Sequence, residues 1–206
     1  MPSKSPGSRR SNRKPTSDKQ LRTKSKVHVL SSTTVFEGRI FRVTVDRVKE
    51  PSGVVVQRDI VRHPGSVVIL AIDDAGPEPS VLLERQYRYA AAQYLWELPA
   101  GSIDSAEEAL SSAKRELREE TGYRAKHWSR ALYFYPSPGF IDETMTVYLA
   151  RELTPGKAQP EEDEVIAWHL MPLSRALQMI QSGKIRDGKT IAGLLWLAEF
   201  LRRCEA

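Results

Sequence analysis

Residues 101–123 read GSIDSAEEALSSAKRELREETGY, which predicts a loop, a helix and a stop signal in that order. Ser105 is of a type favoured at helix N-termini, and Glu108 follows three positions later, so the two predict a capping box. No glycine or proline interrupts the chain from Ala106 to Thr121. Gly122 then stands where helices commonly end in a left-handed residue. The segment therefore predicts a helix of about four turns.

Three carboxylates crowd one face of this predicted helix. Glu116 and Glu120 are four residues apart, and Glu119 lies beside them, three residues after Glu116. Such carboxylates repel each other, and a hard divalent cation relieves the repulsion; Mg²⁺ is the usual choice where phosphate supplies the remaining ligands. The alternative is a solvated acidic face that pairs with the Lys and Arg side chains of the same helix. The carboxylates alone leave both interpretations open.

The spacing of the fixed residues resembles the Nudix box, G-x5-E-x7-R-E-U-x-E-E-x-G-U, in which U is aliphatic or bulky and apolar. Every fixed position from Gly101 to Gly122 is matched, and Tyr123 occupies the last position, where an aliphatic residue is commoner. The preceding WELPAG at 96–101 is similar to the lead-in of the ADP-ribose pyrophosphatase branch of that family. The resemblance covers residues 36–203 and leaves the N-terminal tail outside.

The resemblance implies a divalent metal cofactor, Mg²⁺ with Mn²⁺ as a substitute. The metal would be held by Glu116, Glu120 and the main-chain carbonyl of Ala100. Glu119 would lie close by. Arg115 would hold the glutamates in place through charge-assisted hydrogen bonds.

A general base is implied on the acidic stretch PEEDE at 160–164. Glu162 matches the family's base best, and Glu164 is the second candidate. Glu119 on the box helix is the third. The alternative for both loop glutamates is a solvated acidic turn without a catalytic role.

Substrate contacts are implied at eleven positions along the chain. These are Arg39, Ile40, Arg58, Asp59, Arg88, Ser102, Ser137, Pro138, Gly139, Glu143 and Glu164. Arg88 would contact the diphosphate. Arg39 and Ile40 would bind the nucleotide end across a dimer, as would Arg58 and Asp59. Arg39 stands where family members often have an aromatic residue that stacks on adenine, so the preferred base stays open.

The rest of the chain predicts short strands and two further helices. The strands are predicted at 27–35, 38–48, 54–61, 67–72, 80–83, 132–135, 144–150 and 166–170, and the helices at 173–181 and 190–203. The first three strands form an antiparallel sheet too small to stand alone, so it is expected to pack on the main domain or on a second subunit. The expected fold is α/β (α+β), a Nudix α/β/α sandwich around a mixed sheet with an N-terminal antiparallel β appendage.

Charge is distributed unevenly along the 206 residues. The net charge is +5, yet residues 1–26 hold nine Lys or Arg and one acid, so that residues 27–206 carry a net charge of −3. We predict a disordered basic tail at 1–26, a dimerising β-sheet appendage at 27–63 and the Nudix domain at 64–206. The tail could bind nucleic acid or an anionic surface. A solvated extension is favoured, because no aromatic residues are interleaved with its charges.

Several classes of protein are excluded by composition. The only cysteine is Cys204, so neither an intrachain disulfide nor a cysteine metal cluster can form. No apolar run reaches the roughly eighteen residues of a membrane helix. The basic N-terminus lacks the apolar stretch of a secretory signal. A cytoplasmic protein without a membrane partner is expected.

Three functional hypotheses follow. The first is hydrolysis of a nucleoside diphosphate sugar, with ADP-ribose giving AMP and ribose 5-phosphate. The second is the same chemistry on another nucleotide diphosphate, such as a GDP-sugar or an oxidised nucleotide. The third, from a different class, is a nucleic-acid-binding protein that uses the domain as a scaffold. The complete glutamate set argues against the third, because a scaffold needs no metal site.

Overall fold

The computed structural model describes residues 26–159 and 167–204. The predicted tail, apart from Lys26, lies outside the described residues, and so do Glu162 and Glu164. Within the described part, no helix is both long enough and apolar enough to cross a membrane.

The N-terminal strands form a separate three-stranded antiparallel sheet. Its strands are β1 (His28–Glu37), β2 (Arg42–Lys49) and β3 (Val55–Arg62), in the order β1-β2-β3. The central strand alternates between buried and accessible residues, whereas β1 is exposed along its whole length. No described part of the chain therefore covers the surface of β1.

The second sheet has seven strands and is mixed. They are β4 (Ser66–Asp73), β5 (Ser80–Arg88), β6 (Gln93–Glu97), β7 (Ala100–Ser102), β8 (Arg124–Phe134), β9 (Met145–Thr154) and β10 (Ala167–Pro172). The main order is β10-β5-β4-β9-β8, with β6 paired to β5 and β7 paired to β4. β4 and β9 run parallel, and the other pairs are antiparallel.

Helices cover both faces of this sheet. They are α1 (Ala109–Thr121), α2 (Leu173–Gln181) and α3 (Gly188–Cys204). Because successive strand residues point to opposite faces, the apolar run of β4 serves two cores: one face carries Val67, Ile69 and Ala71, and the other carries Val68, Leu70 and Ile72. The first set packs with Leu117 of α1, and the second packs with Ala176 of α2 and Leu194 of α3. The predicted α/β/α sandwich is confirmed.

The start of α1 differs from the prediction. The helix begins at Ala109, Glu108 occupies the N-cap position without a side-chain capping bond, and Ala106 has a left-handed φ of 68°. The predicted capping box from Ser105 is therefore wrong. A turn in which the Glu107 amide donates to the Asp104 carbonyl at 3.0 Å takes its place. The predicted end is confirmed, since Gly122 closes the helix with a φ of 77°.

The sheet is also larger than the pattern predicted. β8 is eleven residues long, whereas only its last part reads as a strand in the sequence, because most of its side chains are exposed or half-buried. β6 and β7 were not predicted at all. β7 has only three residues, too few for a recognisable alternation.

The two sheets meet where the end of β3 contacts the loop before β9. The Val61 amide donates to the Phe140 carbonyl at 2.8 Å, and the Asp142 amide donates to the Val61 carbonyl at 3.1 Å. Arg62 binds Asp142 at 3.0 Å and also binds buried Asp46 of β2. These contacts fix the small sheet against the larger one at the loop before β9.

Candidate active site

A cavity of about 680 Å³ opens between the small sheet and α1. Its lining comes from the β1–β2 loop, the β3–β4 connection, the end of β5, β7 with the loop after it, and α1: Arg39, Ile40, Pro64, Arg88, Ala100, Gly101, Ser102, Ile103, Asp104, Ser105, Arg115, Glu116 and Glu119. The volume lies within the usual range for small-molecule sites. Arginines and glutamates face the same space, so the cavity suits an anion together with a cation.

The Glu116 side chain packs tightly against Gly101 in this site. A Cβ atom added to Gly101 would lie 2.1 Å from both Cδ and Oε1 of the Glu116 side chain. The glutamate therefore rests directly on the backbone of β7, in the space that any other residue type would fill. This contact explains why the first position of the box is glycine. It also places the Glu116 carboxylate beside β7.

Arg115 donates hydrogen bonds to three carboxylates, and a fourth, that of Asp104, lies 3.5 Å from its Nη2. Its Nη1 donates to Glu116 Oε1 at 2.8 Å and to Glu119 Oε2 at 3.2 Å, and its Nη2 donates to Glu107 Oε2 at 3.1 Å. The hydrogen bond from Arg115 lowers the pKa of Glu107. Burial lowers the pKa of Arg115, but the hydrogen bond to Glu107 and the charge of Glu116 outweigh it, so that this pKa lies above its usual value. Both shifts favour the charged forms of Arg115 and Glu107.

The predicted metal ligands fit a hard cation in donor type. Glu120 is a buried carboxylate on the same helix as Glu116, and Ala100 adds a carbonyl from β7, which lines the cavity. In the described ranges, no group of three or more His, Cys, Asp or Glu side chains is placed to hold a metal ion. The proposed set has two carboxylates and one carbonyl, so water and phosphate oxygens would complete it, as is common for Mg²⁺.

Arg88 also lines the cavity and is held by Glu97, a residue for which the sequence predicted no role. Its Nε and Nη2 donate to the two carboxylate oxygens of Glu97, each at 2.8 Å. The hydrogen bond to Glu97 raises the pKa of Arg88. Lys189 at the start of α3 also binds Glu97. The WELPAG stretch was the available signal for Glu97, whereas nothing local marked Lys189.

The other predicted substrate residues are placed outside this cavity. Arg58 binds Glu50 at 2.7 Å and Asp59 accepts from Gln57 at 2.9 Å, both on the exposed side of β3. Glu143 accepts from the Ser66 hydroxyl at 2.6 Å.

The loop that carries Ser137, Pro138 and Gly139 does not line the cavity in the described part of the chain. Its residue Asp142 lines an adjacent cavity of about 330 Å³, which shares Arg39, Ile40 and Pro64 with the first. The loop therefore borders the smaller cavity, which adjoins the candidate site.

Comparison with known proteins places this arrangement in a family. The NUDIX domain family matches residues 62–194. The chain belongs to the Nudix family. It is 36% identical over 170 residues to an ADP-ribose pyrophosphatase of Bacillus subtilis strain 168, covering 82% of this chain and 90% of that protein. It is 41% identical over 171 residues to an ADP-ribose pyrophosphatase of Mycobacterium tuberculosis strain H37Rv, covering 81% and 80%.

A solved structure described as an ADP compounds hydrolase has the same fold. It superposes with a TM-score of 0.73 at 24% sequence identity, over 86% of this Nudix chain and 95% of that one. The superposition covers a larger share of this chain than residues 62–194, which the family model matches, so the structural similarity extends beyond that range.

Proposed function

We propose that this Nudix protein hydrolyses the diphosphate bond of a nucleoside diphosphate sugar, with ADP-ribose as the first substrate and AMP and ribose 5-phosphate as products. The observation that supports this proposal most directly is that Glu116, packed on Gly101, lines the same cavity as Arg88 and Arg39. A diphosphate needs both kinds of group, since arginines bind its oxygens and carboxylates would hold a metal ion that neutralises its charge. The two relatives described above are both named ADP-ribose pyrophosphatases.

The metal would be Mg²⁺, with Mn²⁺ as a substitute, held by Glu116, Glu120 and the carbonyl of Ala100. A metal ion held there would supply charge neutralisation at the diphosphate and a lowered pKa of a nearby water molecule. Arg115 keeps the carboxylates together through its hydrogen bonds. Ser102, in β7 beside Ala100, borders the same space and would contact the phosphate.

Removal of the water proton is assigned to Glu162, with Glu164 as the second candidate and Glu119 as the third. Glu162 and Glu164 lie outside the described residues, so their assignment rests on the sequence resemblance. Glu119 lines the cavity, but both of its oxygens accept hydrogen bonds from arginines, at 3.2 Å from Arg115 and 2.8 Å from Arg118. Both hydrogen bonds would have to break before Glu119 could accept a proton, which favours Glu162 and Glu164.

Gly101→Ala tests the contact that carries the proposal. The added methyl group overlaps the Glu116 carboxylate, so this carboxylate must move by an ångström or more. A displacement of this size costs about a hundredfold in rate when the group is catalytic. We expect kcat/KM for ADP-ribose to fall by that factor in steady-state assays. Gly76→Ala is the matched control, since its nearest neighbour would be 3.7 Å away. Full activity in Gly101→Ala would contradict the placement of Glu116.

A second copy of the chain would complete the site. Arg58 and Asp59 lie on the exposed side of β3, away from the cavity of their own chain. The surface of β1 exposes large apolar side chains, Val29, Leu30, Val35 and Phe36. Association through the small sheet would bury this surface and bring β3 residues toward the partner's cavity. Static light scattering at micromolar concentration tests the homodimer, and a monomer would contradict it.

Arg39 bears on which nucleobase the site prefers. Arg39 lines both cavities, in the position where relatives often place an aromatic residue. A guanidinium group donates hydrogen bonds to carbonyl acceptors and also stacks on a base. Because guanine presents a carbonyl acceptor where adenine presents an amino group, this residue favours GDP-sugars as the second candidate.

One substrate panel tests the function. Phosphate release after phosphatase treatment is scored for ADP-ribose, GDP-mannose, FAD and dinucleoside polyphosphates, each with Mg²⁺ and with EDTA. We expect Mg²⁺-dependent turnover, highest with ADP-ribose. Preference for GDP-mannose would select the second candidate. No turnover of any compound, together with nucleic-acid binding that requires residues 1–26, would favour the scaffold hypothesis.

A further inference from the structure

A lysine is buried behind the wall of the cavity. Lys189, in the first turn of α3, has a side chain only 8% exposed, and its ammonium group contacts the carboxylates of Glu97 and Asp187, the latter at 3.1 Å. Lysine is almost never buried without such partners. A buried ion pair adds little net stability, since removal of the two charges from water offsets their attraction. The position of Lys189 therefore calls for an explanation beyond stability.

Glu97 is shared between Lys189 and Arg88. Arg88 donates to both carboxylate oxygens, and Lys189 binds the same Oε2 that accepts from Arg88 Nη2. Burial raises the pKa of Glu97, but the hydrogen bonds and charges of Arg88 and Lys189 outweigh it and hold that pKa below its usual value. The carboxylate thus stays ionised and has its orientation fixed from two sides.

Lys189 is itself held in one place. Asp187 Oδ2 accepts from the Thr190 amide at 2.9 Å and from the Thr190 hydroxyl at 2.6 Å. The same hydroxyl accepts from the Leu98 amide at 2.8 Å, in the residue next to Glu97. The first turn of α3 is therefore bound to the end of β6, so that the distance between Lys189 and Glu97 is set by the backbone of both elements.

We propose that Lys189 is a positioning residue for diphosphate binding. By fixing Glu97, it holds the Arg88 guanidinium in the plane that the bidentate pair requires, with Nη1 outside that pair and available to a phosphate oxygen. Pre-ordering a flexible arginine in this way removes part of the entropy cost of binding. The inference rests on the proposed function, in which Arg88 contacts the diphosphate, and adds a residue on a distant helix to that contact.

Lys189→Met removes the charge and keeps most of the volume. Weakening a charge-assisted hydrogen bond equally in the substrate complex and in the transition state raises KM and leaves kcat unchanged. We expect KM for ADP-ribose to rise about tenfold in Lys189→Met and about thirtyfold in Arg88→Ala. Calorimetric titration with α,β-methylene ADP-ribose and Mg²⁺ should show the same losses in affinity without turnover. Lys184→Met, an exposed lysine before the same helix, is the matched control and should bind normally.

The double variant Arg88→Ala/Lys189→Met separates positioning from general packing. If Lys189 acts through Arg88, its loss adds nothing once Arg88 is gone, and the double variant binds the analogue like Arg88→Ala alone. Fully additive losses would overturn the inference. Should Lys189→Met fail to fold, Glu97→Gln/Lys189→Met removes both buried charges. That variant should fold and still bind about tenfold more weakly, and wild-type affinity in it would also overturn the inference.

Failure of the proposed function gives a different result. Wild-type protein that does not bind α,β-methylene ADP-ribose, or Arg88→Ala that binds it normally, overturns the assignment of Arg88 and this inference with it. Normal binding by wild type and weak binding by Arg88→Ala, with Lys189→Met unchanged, overturns only the role of Lys189.

Discussion

Glu116→Gln is expected to lower kcat for diphosphate hydrolysis by about a thousandfold or more, because loss of a catalytic metal ligand costs several kcal/mol of transition-state stabilisation. The carboxylate lies against Gly101 in the wall of the cavity, where glutamine has the same volume and a similar helix propensity. The amide oxygen can still accept the hydrogen bond from Arg115. The thermal midpoint should therefore stay close to that of the wild type, while turnover with saturating Mg²⁺ is nearly lost.

Glu108→Gln is the matched control for this variant. Glu108 is an exposed glutamate at the N-cap of the same helix and makes no capping bond through its side chain. The same chemical change there should leave kcat and KM unaltered. If Glu116→Gln retained more than about a tenth of wild-type turnover, a barrier change of less than 1.4 kcal/mol, the carboxylate would not be a metal ligand.

The features that the sequence predicted well are those set by neighbouring residues. The end of α1 at Gly122 depends on one backbone conformation that glycine adopts readily. The two-sided burial of β4 follows from its unbroken apolar run. The start of α1 was wrong for the same local reason, because Ser105 has the right chemistry for a cap. A turn between Asp104 and Glu107 takes precedence, and it brings Glu107 to Arg115.

Features that depend on distant contacts could not be predicted. Lys189 and Glu97 are 92 residues apart, and neither strand nor helix periodicity relates them. The resemblance pointed to Arg88 and Arg39, and the structure brings both into one cavity with Glu116. It does not bring Arg58 and Asp59 there. A single chain cannot show contacts that a second subunit would make, so these two residues stay predictions.

Glu162→Gln carries the second large effect, a loss in kcat of about a hundredfold to ten-thousandfold, the usual contribution of a general base. Glutamine cannot take a proton from water, yet it keeps the size of glutamate. KM for ADP-ribose and the dependence on Mg²⁺ should change little, because neither the diphosphate contacts nor the metal ligands are altered. Steady-state kinetics over a range of Mg²⁺ concentrations measures all three quantities.

Glu164→Gln is the comparison variant for the second candidate, since it removes the same charge from the same acidic stretch two residues away, and its loss in kcat should be smaller. A base must be deprotonated to act, so activity that depends on it falls as pH decreases. That acidic limb of the pH–rate profile should disappear in Glu162→Gln and persist in Glu164→Gln. A large loss in Glu164→Gln alone would transfer the role of base to Glu164. If neither variant lost activity, Glu119 would be the remaining candidate, and its two arginine hydrogen bonds would have to break before it could accept the proton.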